Sequence, residues 1–203
     1  MKRPVHVAVI GGSGSGKTWL AEKLAAGLKP RAARLSLDDF YRDLAALPMQ
    51  ERDRVNFDDP AAIDWEKFRT LISTMRVGET IDLPAYDFAT HTRKSETHRF
   101  VPPPLVIWDG LWLRHHDWQQ ANFSLTCFVA CDADERLRRR IERDTRERGR
   151  TPESVQQQFF NQVQPMHEKF VEPQRQQADI VLTSPLGADT VEKLIHKMLD
   201  SLP

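Results

Sequence analysis

The chain has 203 residues, with 29 lysines and arginines balanced by 29 aspartates and glutamates, and a hydrophobic share of 40%. This length and composition predict one globular domain with a single substantial core, and they exclude a disordered chain. The charge balance disfavours nucleic acid as an obligatory partner. No apolar run reaches the ~20 residues that cross a bilayer, and glycine comes too early for a signal peptide. We therefore expect a cytoplasmic protein with no membrane partner.

Strands and helices are predicted to alternate along the chain. An apolar, β-branched run at 5–10 ends at glycine, which is typical of a buried parallel strand. Leucines 20, 24 and 28 then recur at helical spacing, and a second strand is predicted at 34–37. The later predicted elements are a helix through 68–75, strands at 105–110, 125–130 and 178–182, and helices at 134–150 and 189–202. This order indicates an α/β fold.

The two cysteines lie four residues apart, inside the apolar stretch LTCFVACD. Cys127 and Cys131 could form half of a metal site, but no further ligands lie near them in the sequence. We interpret both as buried small hydrophobic residues.

The strongest chemical signal is the segment GGSGSGKT, which lies between the first predicted strand and the first predicted helix. It satisfies the P-loop pattern G-x-x-x-x-G-K-[ST], in which backbone N–H groups surround phosphates at a helix N-terminus. The lysine of such a loop reaches the β- and γ-phosphates, and the last hydroxyl binds magnesium. A glycine-rich turn is the alternative, but the flanking elements favour the P-loop. We predict that a nucleoside triphosphate binds at Gly11, Gly12, Ser13, Gly14, Ser15, Gly16, Lys17 and Thr18.

An acidic residue is predicted to approach the metal from a neighbouring strand. Asp109 follows four apolar residues in LVIWDG, which is a Walker B pattern. The alternative is a structural aspartate in a turn before Gly110.

Two adjacent aspartates, Asp38 and Asp39, follow the second predicted strand in the segment SLDDFYRD. Phosphoryl transfer to an alcohol needs a carboxylate that orients the acceptor hydroxyl and accepts its proton. Because side chains alternate along an extended segment, we expect the two carboxylates to point apart, so that only one faces the phosphates. The spacing alone does not choose between them. A solvated turn or a helix cap is the alternative for the pair.

These motifs, with three further stretches, resemble the uridine kinases (uridine–cytidine kinases) of the P-loop kinase class. The likeness runs from about Val5 to about Asp179 and includes SLDDFY, VNFDDPAAID, IDLPAYDFATHTRKSET, and RRRIERDTRERGR with QQQFF. It implies a three-layer α/β P-loop NTPase fold with a central parallel sheet, in one domain over residues 1–203. It also implies a small β-hairpin insertion at about 80–102 that binds the nucleoside, and a helical lid at about 140–158.

The resemblance also implies roles for individual residues. Asp38 matches the family aspartate that acts as the general base and lies in the coordination shell of the metal, whereas Asp39 matches a variable position. Asp58 matches the family residue that holds the ribose hydroxyls. The implied catalytic residues are Asp38, Lys17 and Arg143, and the implied magnesium ligands are Thr18, Asp38 and Asp109. Arg148 is implied to bind ATP, and the implied substrate-binding side chains are Asp58, Tyr86, Phe88, His91, Arg140, Arg143, Arg150 and Gln158.

The residue pattern by itself supports part of this assignment. Arg140 and Arg143 are three apart and share a helix face, where two guanidinium groups could clamp a polyphosphate. A solvated helix whose arginines pair with neighbouring acids is the alternative, and we favour it for Arg136, Arg138, Arg139 and Arg146. Without the resemblance, we would interpret Tyr86 and Phe88 as strand packing and His91 as a surface histidine.

Three positions depart from the family pattern. The family usually has Glu-Gly where this chain has Asp109 and Gly110, so the carboxylate is one methylene shorter. It typically has a Pro-Arg-Gly segment where this chain has TSPLGAD, which leaves the donor preference open. Gly14 stands where the family often has alanine or serine, and we interpret it as added flexibility.

We therefore expect an enzyme of pyrimidine salvage that moves the γ-phosphoryl of ATP to the 5′-hydroxyl of uridine and cytidine, with magnesium. A sister kinase for another ribosyl compound, such as nicotinamide riboside or ribulose phosphate, is the alternative among enzymes. A non-catalytic nucleotide-binding switch is the alternative outside enzymes, but the chain lacks the N-K-x-D guanine motif of GTPases. The resemblance also implies a homo-oligomer, commonly a tetramer.

Overall fold

A computed structural model describes residues 3–200 of the chain. Its strands are β1 (Val5–Gly11), β2 (Ala32–Ser36), β3 (Ile81–Leu83), β4 (Tyr86–Asp87), β5 (Thr92–Arg93), β6 (His98–Phe100), β7 (Leu105–Gly110), β8 (Leu125–Ala130) and β9 (Ile180–Thr183). Five of them form one parallel sheet in the order β2-β7-β1-β8-β9. The carboxyl ends of β1, β2 and β7 therefore lie side by side at one edge, where ligands bind in such sheets.

Helices connect these strands and cover the sheet. They are α1 (Lys17–Gly27), α2 (Met49–Arg52), α3 (Trp65–Arg76), α4 (Asp117–Gln120), α5 (Ala133–Arg148), α6 (Pro152–Gln158), α7 (Gln164–Met166) and α8 (Ala188–Asp200). Shorter 3₁₀ turns occur at Leu37–Phe40, Pro60–Ala62 and Glu172–Gln177, and π-helical turns at Phe159–Val163 and His167–Val171.

The central strands β1, β7 and β8 are buried on both faces, and this explains why they are almost continuously apolar. Val7 and Val9 of β1 belong to an apolar cluster with side chains of α1 and α8. Ala8 and Ile10, which point to the opposite face, belong to a second cluster with Trp108 of β7 and side chains of α3. The two clusters join helices to opposite faces of the sheet, which gives the helix–sheet–helix layers of the predicted three-layer fold.

The segment between α3 and β7 is the predicted insertion. Within it, β3 pairs with β6 and β4 pairs with β5, both antiparallel, so the chain runs out and back as a β-hairpin. The register places Tyr86 opposite Arg93 near the end of this hairpin.

Most predicted elements are confirmed, with small shifts at their ends. The second strand ends at Ser36 rather than 37 because a 3₁₀ turn begins there. The last helix reaches Asp200, and the end of its predicted range, Ser201 and Leu202, lies outside the described residues. Cys127 is buried and Cys131 is partly buried, and both are free thiols. No helix within residues 3–200 is long and apolar enough to span a bilayer.

Candidate active site

The P-loop connects β1 to α1 at the carboxyl edge of the sheet. Gly14 and Gly16 have φ angles of 82° and 97°, in the left-handed region that favours glycine. A Cβ atom on Gly14 would lie 2.6 Å from the backbone oxygen of Arg136 in α5. The interpretation of Gly14 as added flexibility is therefore wrong, because the backbone of α5 leaves no room for a side chain there.

Two side chains lie against the P-loop at Gly12. A Cβ atom on Gly12 would lie 2.8 Å from Nδ1 of His167 and 2.9 Å from Nη1 of Arg136. Arg136 also donates a hydrogen bond to Gln164, and its guanidinium lies 5.4 Å from the ring centroid of Phe159. Burial and the charge of Arg136 lower the pKa of His167 to about 4, so this imidazole is neutral at pH 7. The π-helical segment at 159–171, which contains Phe159, Gln164 and His167, thus supports the phosphate loop directly.

Asp109 at the end of β7 lies beside the last residue of the P-loop. The Thr18 hydroxyl donates to Oδ1 of Asp109 at 2.9 Å, and Nε of Arg34 donates to Oδ2 at 2.7 Å. Asp109 is almost fully buried, with 1% of its surface exposed. The structure therefore brings two of the predicted magnesium residues together, and it adds an arginine that holds the carboxylate in place.

Asp38 and Asp39 lie in a 3₁₀ turn and not in an extended segment, so the predicted alternation is wrong. The turn begins after Ser36, whose hydroxyl accepts the Asp38 N–H at 3.2 Å. Consecutive side chains of a 3₁₀ turn still point in different directions, because it has three residues per turn. The backbone N–H of Tyr86 stabilises the negative charge of the Asp39 carboxylate and opposes the rise of its pKa on burial. Asp39 therefore faces the hairpin, whereas the Asp38 carboxylate interacts with the charge of the P-loop lysine.

The charges of Asp38 and Lys17 are strongly coupled. Burial raises the pKa of Asp38 to about 6, with the Lys17 ammonium opposing this rise and the Asp109 carboxylate adding to it. Burial lowers the pKa of Lys17, and the two carboxylates oppose that fall. A carboxyl group with a pKa near neutrality is suited to accept a proton from an alcohol.

The predicted lid residues Arg140, Arg150 and Gln158 meet above the P-loop. Arg140 donates to the Ser13 hydroxyl at 2.8 Å and to Oε1 of Gln158 at 3.0 Å. Arg150 donates to the same oxygen of Gln158. Arg140 therefore joins the lid to the phosphate loop.

The interpretation of the other arginines of α5 as solvated residues that pair with neighbouring acids is confirmed for Arg138 and Arg146 and wrong for Arg136. It is partly right for Arg139, which pairs with Glu135 at 2.7 Å but also contacts the P-loop. Arg138 pairs with Glu135 and Glu142, and Arg146 pairs with Glu147. Arg136 is only 1% exposed. Arg139 donates to two P-loop carbonyl oxygens at 3.2 and 3.3 Å and to the Ser184 hydroxyl at 2.9 Å. Arg139 thus joins the P-loop to the segment that departs from the family pattern.

Aromatic rings form a group around β4 and β5 of the hairpin. Tyr86 lies 5.3 Å from Phe88 and 5.4 Å from Tyr41, measured between ring centroids. His91 stacks on Phe57 at 4.5 Å. The three predicted base-pocket residues therefore belong to one group of rings. This group also contains Tyr41, which directly follows the 3₁₀ turn, and Phe57 from the segment before α3.

Two polar atoms in this group have no hydrogen-bond partner among the described residues. They are the Tyr86 hydroxyl and Nδ1 of His91, and both are buried. Burial raises the pKa of Tyr86 to about 12 and lowers the pKa of His91, so both side chains are neutral at pH 7. Nε2 of His91 lies 3.6 Å from Asp53, beyond hydrogen-bonding distance. Both groups are thus available to a ligand.

Asp58 lies between the rings and the phosphate loop. It lines a small cavity together with Gly12, Ser13 and His167. Burial raises the pKa of Asp58, and the charges of Arg140 and Lys17 oppose this rise. This carboxylate therefore faces the same space as the P-loop and the lid.

The predicted magnesium residues are few, which suits this ion. Within residues 3–200, no cluster of three or more His, Cys, Asp or Glu side chains has the arrangement of a metal site. Magnesium is usually held by one or two carboxylates, water and substrate phosphates, not by a cage of protein ligands. The Thr18 hydroxyl beside the Asp109 carboxylate, with Asp38 electrostatically coupled to both Asp109 and Lys17, fits such a donor set.

Sequence reasoning missed several residues that the fold brings to the site. They are Arg34, Tyr41, Phe57, Arg136, Arg139, Asp144 and His167. A signal existed for Tyr41 and Phe57, since both lie inside motifs that carry the family resemblance. No local signal distinguishes Arg136 or Arg139 from the solvated arginines of α5.

The fold and the loop together define a class of protein, the P-loop kinases. The chain is 38% identical to a uridine kinase of Halobacterium salinarum over 91% of this chain and 81% of the relative. It is 40% identical to a uridine kinase of Deinococcus deserti, over 89% and 87% of the two chains. The structure of phosphoribulokinase from Rhodobacter spheroides matches with a TM-score of 0.65 at 18% identity, over 90% of this chain and 70% of that chain; this likeness shows the fold.

The family follows from a match over most of the chain. Residues 6–190 match the model of the phosphoribulokinase and uridine kinase family. The chain belongs to this family and is a phosphotransferase. The family resemblance found in the motifs is therefore confirmed.

Proposed function

We propose that the protein phosphorylates uridine and cytidine at the 5′-hydroxyl, with ATP as donor. The observation that carries this proposal is the position of Asp38, in a turn between a P-loop and a group of aromatic rings. This base of raised pKa interacts with the charge of the P-loop lysine, and it shortly precedes Tyr41, whose ring contacts Tyr86 of the hairpin. An acceptor held by the rings would have its hydroxyl next to the γ-phosphate.

Each charged group has a distinct task in this proposal. Asp38 orients the acceptor hydroxyl and takes its proton. Lys17 and Arg143 stabilise negative charge on the transferring group, which is the main contribution that protein side chains make to phosphoryl transfer. Asp58 accepts hydrogen bonds from the ribose hydroxyls. Arg140, Arg148, Arg150 and Gln158 exclude water and bind phosphates when the lid is closed over the substrates.

Thr18, Asp38 and Asp109 would hold a magnesium ion, which supplies charge neutralisation for the β- and γ-phosphates when it is bound. Arg34 keeps the shorter Asp109 carboxylate directed towards Thr18, with Nε only 2.7 Å from Oδ2.

Removing the Asp109 carboxylate should raise the magnesium concentration needed for half-maximal ATP binding. We expect Asp109→Ala to raise it by about tenfold, the cost of one charge-assisted ligand, and Asp109→Glu to be tolerated better than alanine. The measurement is a calorimetric titration of ATP at several magnesium concentrations. Asp117→Ala, on an exposed residue of α4, is the matched control. A magnesium dependence equal to that of the unsubstituted protein would remove Asp109 from the metal shell.

The base pocket should accept both pyrimidines. The Tyr86 hydroxyl donates or accepts, and neutral His91 presents either tautomer, so uracil and cytosine can each find a partner. We expect kcat/KM values for uridine and cytidine within about tenfold of each other, or ~1.4 kcal/mol. Adenosine should fail because Phe88 limits the space. His91→Leu should lower kcat/KM for both pyrimidines, since each would leave a polar edge unpaired at ~1–3 kcal/mol.

A coupled assay on a panel of acceptors tests the function directly. The panel contains uridine, cytidine, adenosine, nicotinamide riboside and ribulose phosphate. Preference for either of the last two would replace the proposed substrate while keeping the kinase. Asp53→Asn tests the tautomer argument, because Asp53 is the acid nearest to Nε2 of His91 at 3.6 Å. A changed ratio of uridine to cytidine in this variant would mean that Asp53 locks one tautomer.

A further inference from the structure

The arginines of the lid share one buried carboxylate, that of Asp144 in α5. Its side chain is fully buried, and Arg143 donates to Oδ1 through Nε at 2.8 Å and approaches the same oxygen with Nη2 at 2.7 Å. Nε of Arg148 lies 3.7 Å from Oδ1, and Nη2 of Arg140 lies 3.7 Å from Oδ2. One buried negative charge therefore faces three positive charges.

The contact with Asp144 uses the Nε and Nη2 side of the Arg143 guanidinium. The edge formed by Nε and Nη2 is one that pairs with carboxylates and phosphates. In this structure that edge is directed at Asp144, so Nη1 is left for a phosphate. The direction in which Arg143 presents its charge thus depends on the neighbouring aspartate.

The buried carboxylate also limits the net charge of the cluster. Three arginines without a counter-ion would bind any polyphosphate strongly, including the product nucleotide. A carboxylate among them lowers this attraction, and it also reduces the repulsion between the arginines when no nucleotide is bound.

We propose that Asp144 is a positioning residue that sets the orientation of Arg143 and limits how tightly the lid arginines hold polyphosphate. The proposal rests on the phosphate-binding role of these arginines within the proposed function, but it does not depend on which nucleoside is the acceptor. The backbone of Asp144 has a separate task, because its carbonyl accepts the Arg150 N–H at 3.2 Å and ends the helix. Side-chain substitutions leave that hydrogen bond intact.

The test is to measure anion binding and turnover in the full-length protein carrying Asp144→Asn. The probe is inorganic tripolyphosphate, which has no base or ribose, titrated by calorimetry. We expect its Kd to fall at least threefold, kcat to fall at least tenfold, and KM for ATP not to rise. Unchanged tripolyphosphate affinity, or a KM that rises as kcat falls, would overturn the proposal, since a merely structural role would weaken binding and turnover together.

Two further variants make the result specific. Asp144→Glu keeps the charge but moves it by one methylene, so tripolyphosphate affinity should stay within twofold of the unsubstituted protein while kcat falls at least fivefold. If Asp144→Asn does not fold, Asp144→Glu decides alone, and an unchanged kcat in that variant refutes the positioning role. Glu142→Gln is the matched control, because Glu142 is exposed on the same helix and its carboxylate lies 3.5 Å from Arg138. It should behave as the unsubstituted protein.

Failure of the proposed function is a separate outcome. An unsubstituted protein that phosphorylates neither uridine nor cytidine would refute the proposed acceptor. The comparison of tripolyphosphate affinities would still decide whether Asp144 limits anion binding, because no nucleoside takes part in it.

Discussion

Replacing Asp38 by asparagine should lower kcat by ~10²-fold or more, the usual effect of losing a general base, while ATP still binds. The reason is that Asp38 is the carboxylate whose charge is coupled to Lys17 and Asp109, and burial has raised its pKa to about 6. Asparagine keeps the shape of the side chain but cannot accept the proton of the acceptor hydroxyl. The measurement is steady-state turnover with uridine, together with ATP affinity by calorimetry.

Asp39→Asn is the matched control for this experiment. Asparagine at this position loses the negative charge but keeps an oxygen that can accept the Tyr86 N–H, so Asp39→Asn should change kcat much less than Asp38→Asn does. If Asp39→Asn lowers kcat more than Asp38→Asn does, then the assignment of the base is wrong.

The second large effect is expected at Arg143, whose replacement by alanine should reduce kcat by ~10²-fold, as for the loss of one donor that stabilises transition-state charge. KM for ATP should change much less, because an interaction made mainly in the transition state affects kcat more than binding. Arg143 is suited to this task because its guanidinium is partly exposed, at 33%, and is held in place by buried Asp144.

Arg138→Ala is the control, since Arg138 lies on the same helix and, within residues 3–200, forms its ion pairs with Glu135 and Glu142 of that helix. It should keep its activity, because such exposed ion pairs contribute little. Equal kcat values for Arg143→Ala and the unsubstituted protein would exclude Arg143 from the reaction.

Most of the fold and the central part of the site could be predicted from local patterns. The P-loop is a contiguous motif whose conformation depends on its own glycines, and Asp109 was recognisable because a buried strand precedes it. The hairpin residues Tyr86, Phe88 and His91 came only from the family resemblance, because aromatic residues two apart are by themselves typical of strand packing and a lone histidine is typical of the surface.

The arginines of α5 show where local patterns fail. Arg136, Arg138, Arg139 and Arg146 occur in one charged helix and are alike in sequence, yet two are exposed and two contact the P-loop. Charge patterning describes pairs within one helix, but burial depends on what packs against that helix. Here α5 packs against the P-loop, which lies more than a hundred residues earlier in the chain, and against the π-helical segment at 159–171.

The sequence by itself thus determined the order of strands and helices, the phosphate-binding loop and the family, because each of these depends on residues that are neighbours along the chain. Only the tertiary structure decided that Gly14 must be glycine, that Arg34 holds Asp109, and that Asp144 faces three arginines. The physical reason is the same in each case. Close approach of backbones and the burial of charge arise where elements distant in sequence pack together, and no local pattern records which elements will meet.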